Sequence, residues 1–74
     1  MTQVEATNRI HDLMKLCKIV MFKTTSGFTA EYASAVGNAC KDALINTDRM
    51  SGVELESMVN NIAAYESILN SLIA

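Results

Sequence analysis

The feature that most restricts this chain is a run of apolar side chains towards its end. Leu55, Met58, Ile62, Tyr65, Leu69 and Leu72 recur at alternating spacings of three and four residues. That is the a/d rhythm of a helical seam, which a strand of period two cannot satisfy. No proline interrupts it, here or anywhere in the chain. Ser51 and Glu54 are spaced as a capping box, and Met50 and Leu55 as a hydrophobic staple, so this helix is expected over about 52–73. Val59, Ala63 and Ile73 lie along one flank of the stripe and Ile68 lies on the other. The stripe is broad for a helix that covers only two partners, so part of it is expected to meet a second chain.

The first helix is expected over about 3–23. Thr2 and Glu5 fit a capping box at its start. Ala6, Ile10, Leu13, Cys17 and Val20 recur at helical spacing, and Met14 and Met21 widen that stripe. Leu16, Ile19 and Phe22 add apolar groups on other sides. A surface helix needs one apolar stripe only. The second half of this helix is therefore either central in the fold or covered by another chain.

A second helix is expected over about 29–46, capped by Thr29, with Phe28 and Ala33 as its staple. It is built from small residues: Ala30, Ala33, Ser34, Ala35, Gly37, Ala39 and Ala43. A glycine inside a helix costs about 1 kcal/mol relative to alanine. Gly37 is thus expected to admit a close neighbouring helix. Short links run successive helices antiparallel. The expected fold is all-α: one helical domain over 1–74, a small three-helix antiparallel bundle that self-associates. Self-association is expected because a domain of this size buries only roughly 60% of its unfolded surface and usually needs a staple.

Charge narrows the partners. The net charge is −2. Nucleic-acid binders normally rest on clustered Lys and Arg, so nucleic acid is not expected as a partner. The second and third helices resemble a helix-turn-helix only in outline, since the third carries Glu54, Glu56 and Glu66 and no basic residue to meet phosphate. The distribution is uneven, however. Arg9, Lys15, Lys18 and Lys23 in the first segment outnumber Glu5 and Asp12, so the first and last segments are expected to attract one another, within a chain or between chains.

The densest apolar run, LMKLCKIVMF, is broken by Lys15 and Lys18 and falls short of the ~20 residues that span a bilayer. No secretory signal is expected, because no unbroken apolar run follows the start. The basic, apolar first helix could lie on anionic lipid, but its apolar groups are expected to serve the core. Cys17 and Cys40 fit neither a metal motif nor a disulfide framework, and are expected to be small core hydrophobes set out of level across the first turn. A reducing, cytoplasmic setting follows.

Catalytic chemistry is not expected. His11 stands alone, and no nucleophile has a base at motif spacing. Residues 46–57 mimic a calcium loop only faintly, with Ser57 where a bidentate Glu belongs and Arg49 and Met50 among the ligand positions. No metal or cofactor motif is present. Lys23, Thr24, Thr25 and Ser26 precede a helix start, where free N–H groups attract anions. They lack the glycine-first order of a P-loop. A joint between helices explains them: Lys23 complements the end of the first helix, Gly27 supplies a left-handed turn, and Phe28 seals it.

The expected function is a small helical protein-interaction module: a regulator, inhibitor, adaptor or assembly factor with a protein partner, acting as a homo-oligomer. Its expected interface is Ile19, Phe22, Leu55, Met58, Ile62, Tyr65, Leu69 and Leu72. The alternative is an oligomeric binder of a small anionic ligand, a nucleotide or phosphorylated metabolite, through the 23–29 loop. Lys15, Lys18, Lys23, Thr24, Thr25 and Ser26 would hold it.

Overall fold

The computed structural model describes residues 2–73; Met1 and Ala74, the ends of the expected 1–74 domain, lie outside the described residues. Three helices form: α1 (Gln3–Lys23), α2 (Gly27–Asn46) and α3 (Val53–Ile73), with a short 3-10 turn at Thr47–Arg49 between the last two. There is no strand among the described residues. The chain is a small all-α three-helix bundle, about 38 × 19 × 15 Å.

α1 is the centre of the bundle. It packs along both α2 and α3, while α2 and α3 barely meet. Its inner stripe is the one that the spacing predicts: Ala6, Ile10, Leu13, Cys17 and Val20 are all buried. Against it lie Ala33, Val36 and Cys40 from α2 and Ile62 and Leu69 from α3. Ile10, Leu13, Val20 and Leu69 are the largest fully enclosed side chains. Burying a side chain of this size contributes about 1.5–3 kcal/mol each relative to leaving it in water. No buried side-chain polar atom among the described residues lacks a hydrogen-bond partner. Buried Thr47, for instance, donates from its hydroxyl to the Ala43 carbonyl at 2.6 Å.

The helix ends confirm some expectations and correct others. At α1, the Thr2 hydroxyl oxygen accepts from the Glu5 N–H at 3.2 Å and donates to the Glu5 carboxylate at 3.3 Å. The Gln3 side chain then ties this end to the α2–α3 connection, donating to the carbonyls of Asp48 and Met50 at 3.2 Å each. At α2 the cap is Ser26, not Thr29: its hydroxyl accepts from the Thr29 N–H at 3.3 Å, and the helix begins at Gly27. Thr29 is instead inside the first turn and buried. Gly27 has no left-handed backbone; the positive φ belongs to Gly52, at +48°. Phe28 does not seal the joint, because 74% of it is exposed. At α3, the bonds recorded are backbone ones, from Glu54 N–H to the Ser51 carbonyl and from Glu56 N–H to the Gly52 carbonyl, both 3.1 Å. Gly37 is not a point of close approach either, since a Cβ there would meet nothing within 4 Å.

Candidate functional site

The residues expected to form an interface divide into two groups. Leu55, Ile62 and Leu69 are buried within the single chain, facing α1, and are not available to a second one. This corrects their expected role: the centre line of the seam is closed within the chain. Met58 and Tyr65 are half-buried against the core. Leu72, Ile19 and Phe22 are exposed, to 39%, 45% and 91%. Phe22, almost bare on a well-formed helix, buries little of itself within the fold. It is the strongest single signal on the surface.

Met58 and Tyr65 border a groove that the helical spacing does not reveal. Because α2 and α3 diverge, a depression of about 180 Å³ opens between them. Ile10 and Leu13 of α1 form its floor. Val36, Ala39, Cys40 and Ala43 make one wall, and Met58, Asn61, Ile62 and Tyr65 the other. The remaining large apolar side chains left in water are Val4, Met21, Phe28, Ile45, Val53 and Ile68. Of these, the sequence marks Met21 and Ile68 as flanking additions. Ile45 and Val53 lie off every stripe and carry no periodic signal.

The expected anion-binding residues divide as well. Lys23, Thr24, Thr25 and Ser26 do line one cleft of about 340 Å³, together with Thr29, Leu72 and Ile73. Its hydroxyls are partly engaged. The Thr24 hydroxyl accepts from the Ser26 N–H at 3.1 Å, and the Ser26 hydroxyl caps α2. Lys15 and Lys18 are not part of this cleft. Lys18 borders a different one of about 200 Å³ between α1 and α2, beside Lys41, Ser34 and Asn38, with Gly37 leaving the space.

Cys17 and Cys40 are free and buried. Burial, and then the neighbouring Cys40, push the Cys17 thiol from its ordinary 9.0 up to about 11. Burial raises Cys40 as well. Thiols held protonated in this way are poor nucleophiles and poor metal ligands. Among the described residues no group of three or more His, Cys, Asp or Glu is placed to hold a metal ion, and no helix is long and apolar enough to cross a membrane. Within the chain, one ion pair joins the first and last helices: Arg9 to Glu66 at 3.3 Å, with both side chains about one-third exposed.

No family model matches the chain, and no curated protein or solved structure is significantly similar to it.

Proposed function

We propose that this chain is a small helical protein-interaction module that acts by binding, as a regulator or assembly factor, and associates with copies of itself. The observation behind this is the placement of Phe22 and Ile19. Both stand on the central helix, yet both are exposed, on the side away from its buried stripe. Scattered apolar side chains on a surface are ordinary. Phenylalanine and isoleucine in adjacent turns of the same helix face form a patch that a partner covers. The α2–α3 groove adds an apolar concavity bordered by Met58 and Tyr65.

Sedimentation velocity across a micromolar concentration series tests the reading. A mass that rises with concentration, and that Phe22→Asp returns to one chain, is the expected result. A monomer at every concentration, with no protein captured by the wild type that Phe22→Asp fails to capture, refutes it.

The 340 Å³ cleft supports a second reading. It gathers Lys23 and four hydroxyl residues at the N-terminus of α2, where backbone N–H groups favour an anion. In that reading the chain binds a small phosphorylated ligand. Thermal stabilisation by a nucleotide, lost in Lys23→Ala, would favour it over protein binding. A panel of phosphorylated ligands that leaves the melting temperature unmoved removes it.

A further inference from the structure

We infer that the outer face of α1 docks antiparallel against the same face of a second copy, with the two-fold axis level with Leu13. The inference rests on the self-association proposed above and names its surface and register.

The outer face is read from what the core leaves behind. Opposite the buried stripe, Val4, Asn8, His11, Lys15, Lys18 and Phe22 are all exposed and recur at spacings of four and three. This is a second a/d stripe on the same helix. Its apolar members stand at the two ends: Val4, 70% exposed, near the start and Phe22 near the finish. Residues equidistant from Leu13 come together in an antiparallel pair. Val4 then meets Phe22 of the second copy, at both ends of the contact. Asn8 meets Lys18 of the second copy, and His11 meets Lys15 of the second copy.

Charge selects the same arrangement. On the exposed side of α1 the acids Glu5 and Asp12 lie in the first half, and Lys15, Lys18 and Lys23 lie in the second. Antiparallel pairing sets Asp12 beside Lys15 of the second copy and Glu5 near Lys23 of the second copy, each twice by symmetry. Parallel pairing would stack lysine on lysine. None of these five groups is in an ion pair within the described residues; the pair recorded there is Arg9–Glu66. A face whose charge reverses about its midpoint is complementary to itself, which is what a two-fold interface requires.

The test uses Asp12→Lys and Lys15→Glu, both at exposed positions outside the core and the caps. Alone, each variant places like charges together twice and is expected to raise the self-dissociation constant at least about tenfold. Mixed one to one, the two restore both opposite-charge contacts, so a mixed dimer of wild-type affinity is expected. Folding is followed by far-ultraviolet circular dichroism, and recovery in the mixture also excludes misfolding as the cause. Val4→Cys mixed with Phe22→Cys under mild oxidation is expected to give a mixed disulfide, more than either protein gives alone. Self-association unchanged in both charge variants, or a Phe22→Cys homodisulfide as the main product, overturns this register while leaving the proposed function standing. A wild type that stays monomeric overturns both. Sedimentation of a monomeric chain with phosphatidylserine vesicles would assign the face to lipid and overturn the inference.

Discussion

Leu69 and Leu72 are the same residue type, three positions apart on one seam, yet the structure gives them different work. Leu69 is fully enclosed against α1; Leu72 is 39% exposed at the rim. Truncating an enclosed leucine to alanine loses its transfer free energy and leaves a cavity, about 2.5–4 kcal/mol in all. A rim leucine loses part of its burial and leaves no closed cavity, so about 1 kcal/mol or less. The whole domain is worth about 4–11 kcal/mol at ordinary stability per residue. Leu69→Ala therefore removes a large share of it. With an unfolding entropy of about 155 cal/mol/K for a chain of this length, the midpoint should fall by roughly 16–26 °C in Leu69→Ala and by about 6 °C or less in Leu72→Ala.

Urea titration followed by circular dichroism measures both costs, and it should be run at two protein concentrations about a hundredfold apart. The cost of Leu69→Ala should be the same at both, since its partners are in its own chain. A cost under about 1 kcal/mol, or one that grows with concentration, would mean that the seam of α3 is closed by another molecule. The packing around α1 described above would then be wrong.

Other substitutions test local claims. Gly37→Ala should stabilise the fold by about 0.5–1 kcal/mol in urea titration, because the added methyl meets open space and α2 gains helix propensity. Gly52→Ala should destabilise by about 1 kcal/mol or more, because its φ of +48° is strained for an L side chain. Ser26→Ala should cost about 1 kcal/mol through the lost cap, and Thr25→Ala, tested in the same assay, should be near neutral. The buried thiols link stability to alkaline pH. Their folded-state pKa values are raised, so their contribution is complete below the ordinary value of 9.0 and is lost as pH rises through the folded value, about 11 for Cys17. Denaturant midpoints should fall over that window, and Cys17→Ala combined with Cys40→Ala should flatten the fall.

How much of this was legible in the sequence depends on what spacing encodes. Periodicity states which residues share a helix face, and it identified the inner stripe of α1 residue by residue. It does not state how many neighbours cover that face. Leu55, Ile62 and Leu69 are the buried members of the α3 seam; Met58 and Tyr65 border the groove beside it, and Leu72 lines the separate cleft at the α1–α2 joint. A seam with one neighbour is thus closed along its centre line and open along one edge. No count of threes and fours distinguishes that from a seam with two. The α2 start failed for a related reason. Ser26 and Thr29 are both competent caps, and burial of Thr29 by the neighbouring helices decides between them. Small residues allow close approach without requiring it, and Gly37 lines an open cleft between α1 and α2. The outer stripe of α1 was hidden by its own composition, since lysine, histidine and asparagine at a/d positions look like a solvated face. Its meaning emerges only when the inner stripe is known to be satisfied. The central helix then has one apolar stripe committed to its own fold, and Val4, Ile19 and Phe22 stand exposed on the opposite side.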